Sequence, residues 1–429
     1  MKINNYLICL FGCLFLAADV PQSIRDDLPY LVNFYKERHQ HPEISLHEEN
    51  TAKALTAELQ EVGFEVTENF GGYGIVGILK NGDGPTILYR TDMDALPMYE
   101  KTELPYASTT TTVINGSEVG TMHSCGHDIH MTTWLGTARA MAQHKDQWKG
   151  TLMLIGQPAE EIGRGAKMML EAGLYEKFGV PDYGIGLHSS PTIPAGKVGI
   201  DDGYTMANAE MVDIDVFGVG SHGASPHSSV DPVVLSSMII MELQTIVSRS
   251  VKPIDDAVIT VGAVQGGTVG NIIPDEVKLK LTVRTFKEEV RKLIRKRIVE
   301  VCNGIAIAAG LPEEKWSEVH FPLSFTPANF NNTQLSQRIK NRMQLTIGEE
   351  NVVTSEPQLV AEDFARYGST EHDVPTVLFW LGTVSQEKIL ANELPGLHSP
   401  FYYPEPEKSL ETGVNVVSSI LLDLFNEPM

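Results

Sequence analysis

A chain of 429 residues, 42% hydrophobic and 21% charged, is neither a disordered nor a low-complexity protein and is long enough for two or three domains. Its 33 basic and 55 acidic side chains leave a formal charge of -22. That balance argues against nucleic acid and anionic membrane as partners, since both are bound through clustered Lys and Arg.

Lys2, the apolar run from Tyr6 to Ala18 and the polar stretch from Asp19 follow the order of a signal peptide. Residues 1–18 are expected to be removed and the mature protein to be secreted or periplasmic, with no membrane association after cleavage. The run is short for a membrane span, and no other segment is expected to reach that length. Cys9 and Cys13 leave with the signal, and the remaining Cys125 and Cys302 are too few for a disulfide framework.

Ser45-Leu46-His47-Glu48 has capping-box spacing before the one-faced apolar set Ala52, Leu55, Leu59 and Val62, closed by Gly63, which predicts a helix. Strand-length apolar runs follow at 74–79, 86–89, 151–155, 183–187 and 374–380, alternating with helical stretches. An α/β fold with a mostly parallel sheet is expected. Asp92 and Asp94 follow the second run, Glu160 and Glu161 the third, and His188 the fourth. In such sheets ligands bind beyond the carboxyl ends of the strands, so these residues point to one shared site.

From residue 204 the texture changes. Val212, Ile214 and Val216 alternate with Asp213 and Asp215, Asp231-Pro232 starts a helix, and the order becomes strand, helix, strand, strand, helix, strand. This is the split βαβ pattern of a ferredoxin-like α+β domain. It is expected as an insertion at 204–322 between catalytic-domain parts at 19–203 and 323–429. Cys302 shares a helical face with Val290, Ile294, Ile298, Val301 and Ile305, as a core thiol would.

Cys125 and His127 flank Gly126 and can turn towards one cation, as thiolate and imidazole are good zinc or transition-metal ligands. Glu160 and Glu161 stand side by side, so one can ligate while the other serves as a base for water. With His188 and His398, the set Cys125, His127 and Glu161 supplies enough ligands for two cations about 3.5 to 4 Å apart.

Arg38 to Glu43, Arg90 to Pro97, Met122 to Asp128, Gln157 to Glu161, Ser221 to His227, Gly266 to Thr268, Asn271 to Pro274 and His398 to Pro400 span almost the whole mature chain. In these segments the chain resembles the co-catalytic metallopeptidases and amidohydrolases that include hippurate hydrolase, aminoacylases, carboxypeptidase G-like enzymes and auxin-conjugate hydrolases. It is most similar to the hippurate and auxin-conjugate branch.

The resemblance implies hydrolysis of the amide bond of N-acyl amino acids or short peptides, with two divalent metals per subunit: zinc or manganese, or else cobalt or nickel. It implies Cys125, His127, Glu161, His188 and His398 as ligands, Glu160 as general base, and Asp94 just outside the ligand set. His222 would stabilise the oxyanion in a neighbouring subunit's site, with the smaller domain serving as a dimerisation and lid element. Asn271 and Arg284 would hold the substrate carboxylate. Arg284 also lies with Lys280 and Thr282 on the polar face of an alternating strand. Val384 stands where the family commonly has glycine, near the expected acyl pocket. The alternatives are a dipeptidase or carboxypeptidase of the same family, or a catalytically dead ligand-binding relative.

Overall fold

The computed structural model describes residues 19–428, so the signal segment expected at 1–18 lies outside the described residues. The chain divides into two compact units. One comprises Met1–Gly203, Phe330–Glu356 and Arg366–Met429, the other Tyr204–Asn329 and Pro357–Ala365.

The larger unit is built on an eight-stranded sheet in the order Glu65–Thr67, Ile75–Asn81, Gly150–Gln157, Thr86–Asp92, Tyr183–Pro194, Thr376–Val384, Val198–Gly199 and Val352–Val353. The four central strands, Gly150–Gln157 to Thr376–Val384, are mutually parallel, whereas Ile75–Asn81 and Val198–Gly199 join them antiparallel. The sheet is therefore mixed at its flanks. Every residue of Thr376–Val384 is buried, as are Leu152, Met153, Leu154 and Ile155 in their strand. Burial on both faces explains why these strands read as continuous apolar runs rather than alternating ones.

The helices Asp19–Gln40, His127–Gln143 and Pro406–Asn426 pack against one another and, through the last two, onto the sheet. Asp19–Gln40 was not anticipated from the polar character of its start. Val20, Ile24, Leu31, Val32 and Tyr35 are nevertheless buried at helical spacing along it. The helix Glu49–Glu61 forms as expected, but the capping box does not. Glu48 occupies the cap position without a side-chain cap bond, and the Ser45 hydroxyl donates instead to Asp94 at 2.6 Å.

The smaller unit has a four-stranded antiparallel sheet in the order Ala257–Gln265, Glu276–Thr285, Asn208–Phe217, Glu318–His320. Helices Pro232–Thr245 and Glu288–Ala308 pack together, with Leu235, Ile239, Leu243, Ile294 and Ile298 sharing one buried cluster with the inward row Val277, Leu279, Leu281 and Val283. This is the ferredoxin-like arrangement, with chain order and sheet order both matching the split βαβ pattern. Asp231 caps the first helix by accepting from Val233 N at 2.8 Å. Cys302 is fully buried in this core, and burial pushes its thiol up to about 12, which makes it inert.

One expectation is corrected here: Pro232–Ser250 is long and apolar enough, by length and composition, to cross a membrane. The cause is visible in the fold. Leu235, Ile239 and Leu243 face the sheet while Val233, Val234, Met238 and Met241 are exposed, so the helix is apolar on two sides.

Candidate metal centre

The larger unit brings Cys125, His127, Glu160, Glu161, His188 and His398 together from four segments. Cys125 and His127 stand at the start of helix His127–Gln143, on either side of Gly126 at φ 80°. A Cβ at Gly126 would lie 2.5 Å from Ser189 Oγ, so only glycine lets this turn approach the strand that carries His188. Glu160 and Glu161 follow the end of strand Gly150–Gln157, after Ala159 at φ 53°. His398 sits on a loop whose amide donates to Ser124 O at 2.9 Å.

Hydrogen bonds behind the imidazoles set their tautomers. His127 Nδ1 is 2.7 Å from Asp94 O, and His188 Nδ1 is 2.9 Å from Ser189 O. A carbonyl only accepts, so each Nδ1 carries hydrogen, and in the neutral ring each Nε2 presents a lone pair. His188 Nε2 is 3.6 Å from Cys125 Sγ, His127 Nε2 is 3.8 Å from Glu161 Oε1, and His398 Nε2 is 3.4 Å from Glu161 Oε2.

His127 Nε2 and Glu161 Oε1 are both buried without a hydrogen-bond partner among the described residues. With the ring neutral these are two buried acceptors facing one another, which is costly unless a proton or a metal cation lies between them. The ligand atoms of Cys125, His127 and His188 lie within 4.8 Å of one another, as do those of Cys125, Glu161 and His398 and those of His127, Glu160 and Glu161. These overlapping sets of sulfur, nitrogen and carboxylate oxygen fit two divalent ions of the zinc or manganese kind.

The electrostatics agree. Burial lowers His127, but Asp92, Asp94 and Glu161 outweigh it and lift the imidazole to about 10. The pocket thus favours positive charge at Nε2, and a proton and a metal ion there are alternatives. Burial raises Glu161 to about 7; His127 opposes the rise, and Asp94 and Asp92 add to it, so three carboxylates crowd one dry space. Burial and the neighbouring His130 hold His188 well below its ordinary value, which keeps its lone pair available.

Asp92, His127 and His130 also cluster, but His130 is spent as a ligand. Its Nε2 accepts from Ser189 N at 2.7 Å, so Nδ1 donates to Asp92 Oδ1 at 2.7 Å. Asp94 is engaged likewise, accepting Glu160 N and Glu161 N at 3.0 Å each as well as Ser45 Oγ.

A sequence model of peptidase family M20/M25/M40 matches residues 88–423. Hippurate hydrolase of Campylobacter jejuni is 39% identical over 328 residues, covering 76% of this chain and 82% of that protein. N-acetylcysteine deacetylase of Bacillus subtilis is 35% identical over 361 residues, covering 83% and 89%. The chain belongs to the M20 family. The crystal structure of a dinuclear metal-binding M20 peptidase from Bacillus subtilis superposes with a TM-score of 0.76 at 29% identity, covering 94% of this chain and 99% of that one. With its buried ligand clusters, this M20 protein is a metal-dependent hydrolase with a two-metal centre.

The remaining residues singled out in this M20 chain lie in the smaller unit. His222 and Asn271 are exposed neighbours on a two-stranded ribbon in which His222 pairs with Ile272 and Gly223 N donates to Asn271 O at 2.8 Å. Arg284 lies in the four-stranded sheet in register with Ala209 and Val258, and its side-chain Nη1 is buried without a hydrogen-bond partner among the described residues.

Sequence reasoning missed His130, Glu48 and a buried trio behind the ligands. His39 sits between Asp128 at 2.6 Å and Glu100 at 3.0 Å, with the rings of Tyr35 and Tyr106 against it. For His130 the available signal was its three-residue spacing from His127 on one helix face. Burial lowers His39, but the two carboxylates outweigh it and raise the ring from 6.5 to about 9. Burial alone would raise Asp128 and Glu100; the bond to His39 reverses this and lowers both.

The raised His39 value means stabilisation that is complete below about pH 6.5 and lost as pH rises through about 9. For the metal-saturated protein, unfolding free energy is expected to drop by about 3 kcal/mol between about pH 6.5 and pH 10. Denaturant titrations at stepped pH check this. His39→Gln should remove most of the slope, and an equally steep slope in that variant would show that other groups carry it.

Proposed function

We propose that this M20 enzyme cleaves the amide bond of small N-acyl amino acids, in the manner of the hippurate branch. The observation that carries the reading is Arg284. The strand Glu276–Thr285 alternates, with Val277, Leu279, Leu281 and Val283 facing the helices and Lys278, Lys280, Thr282 and Arg284 on the other face. Arg284 is half-buried, burial holds its guanidinium below the ordinary value, and its Nη1 is enclosed without a hydrogen-bond partner among the described residues. By contrast, Arg291 in the same unit is paired with Glu210 and Glu288. An enclosed, unpaired guanidinium calls for an anion, and the free carboxylate of an amino-acid product or substrate supplies one.

Two divalent ions, when bound, would supply Lewis acidity towards a carbonyl and towards water. Glu160 takes a proton from the attacking water and returns it to the departing nitrogen, acting as base and then as acid. Cys125, His127, Glu161, His188 and His398 would hold the ions, and Asp94 fixes the amides of both glutamates. His222, exposed at its ribbon, donates to the oxygen that gains charge, while Asn271 and Arg284 hold the carboxylate.

His222 serving a second copy of the chain agrees with exposed Val233, Val234, Met238 and Met241 and with Ala257–Gln265 lying at the edge of its sheet. Export rests on Lys2 and the 6–18 run alone. N-terminal sequencing of the protein recovered outside the cytoplasm tests it.

Turnover of N-acetyl, N-benzoyl and indoleacyl amino acids, set beside dipeptides and C-terminal amino-acid release, tests the substrate class. Cleavage of dipeptides alone would overturn it in favour of the dipeptidase reading. Arg284→Ala should lower kcat/KM on a free N-acyl amino acid by about tenfold to a few hundredfold, with metal content unchanged. The same variant should lose most of the preference for the free acid over its amide. An unchanged ratio would remove Arg284 as the carboxylate anchor and leave the metal centre untouched.

A further inference from the structure

Ala159 is fully buried and stands at φ 53°, a left-handed conformation uncommon for a residue other than glycine. It immediately precedes Glu160 and Glu161, so its backbone angles decide the direction in which both carboxylates leave the sheet. Asp94 receives the amides of Glu160 and Glu161, but its grip begins only after that turn. The Ala159 amide has a different acceptor, Glu48 Oε1 at 2.8 Å.

The same oxygen accepts Leu46 N at 2.9 Å, and Leu46 is also left-handed, at φ 68°. Ser45, beside it, donates to Asp94. Two loops distant in sequence are thereby tied to one another by two buried carboxylates, and each loop has a left-handed residue whose amide points at Glu48.

We propose that Glu48 is a positioning residue for hydrolysis, clamping the left-handed turn at Ala159 so that Glu160 is presented as the base and Glu161 as a ligand. Among the described residues, the two amides of Leu46 and Ala159 are what this carboxylate serves. Glu48 has no accessible surface, makes no cap bond to its helix, and its Oε2 is buried without a hydrogen-bond partner among the described residues. Burying a carboxylate is costly, and for packing alone an apolar side chain of similar volume would serve better. What the carboxylate adds is an acceptor strong enough for two amides at once. A base displaced by about 1 Å loses on the order of a hundredfold in rate.

The proposal rests on Glu160 being the base, so the test carries Glu160→Gln beside it. Glu48→Met fills the space and removes the acceptor. It should keep Tm at or above wild type and weaken metal affinity by about tenfold or more, because Glu161 is displaced as well; at saturating metal it should leave KM within about threefold and lower kcat by about tenfold to a hundredfold. Glu48→Gln retains an acceptor oxygen and should restore kcat to within about threefold of wild type. Ala159→Gly in the Glu48→Met background relieves the left-handed strain, and should recover about fivefold or more of the lost kcat.

Wild-type kcat in Glu48→Met, with Glu160→Gln inactive, would overturn the clamp and keep the base. Failure of both Glu48→Gln and Ala159→Gly to recover activity would also overturn it, since an unspecific loss of packing would not respond to either. An active Glu160→Gln would instead remove the base assignment on which the clamp depends.

Discussion

Glu160→Gln is expected to lower kcat by about 10³- to 10⁴-fold while the protein still binds its two metal ions. Glu160 and Glu161 are adjacent in sequence, and both carboxylates approach His127 Nε2, at 3.9 and 3.8 Å. Distance alone does not separate base from ligand, and the proposed division rests on their other neighbours. Glu161 Oε2 also meets His398 at 3.4 Å and Glu161 shares a cluster with Cys125, so it faces both candidate ion positions. Glu160 enters only the set with His127 and Glu161, among the sets identified above. A glutamine keeps shape and hydrogen bonding but cannot take a proton, so the chemical step is lost with binding preserved. KM should stay within a few-fold, and metal analysis should return wild-type stoichiometry. An inactive variant that is also empty of metal would exchange the roles of the two glutamates.

Cys125→Ser is expected to lose metal and activity together, with metal affinity falling by more than the roughly 10- to 100-fold that removal of an outer partner costs. Cys125 belongs to two of the overlapping ligand sets, so one substitution weakens both ion positions. Its thiol should also resist alkylation until a chelator strips the protein, because ligation and nucleophilicity compete for the same sulfur. Activity lost to the chelator should return on adding zinc or manganese. Cys302→Ser supplies the control: this thiol is buried in the smaller unit's core and belongs to none of the ligand sets named above, and its replacement should change neither metal content nor turnover. Equal alkylation of Cys125 with and without metal would exclude it from the centre.

The residue types of this centre were legible in the sequence because metal chemistry needs few of them. Cys125 and His127 around a glycine, paired glutamates after a strand, and histidines at strand and loop ends mark themselves by type and position. The strands that carry them were legible too, as runs buried on both faces, and the smaller unit showed itself by alternation and by its element order. These are signals over a few residues, set by side-chain burial against a repeating backbone.

What only the tertiary structure decided was which polar groups meet. His39 finds Asp128 across 89 residues, and Glu48 finds Ala159 across 111. Nothing local distinguishes those partners from other buried polar side chains. The same holds for Ser45, whose spacing fits a helix cap but whose hydroxyl bonds Asp94, and for His130, a metal ligand by type whose two nitrogens are already engaged. A hydrogen bond needs a partner within about 3 Å in a fixed direction, and that is settled by packing elements distant in the chain. The chemistry of the site was therefore written in residue types, and the protonation, tautomers and backbone turn that make it usable came from the fold.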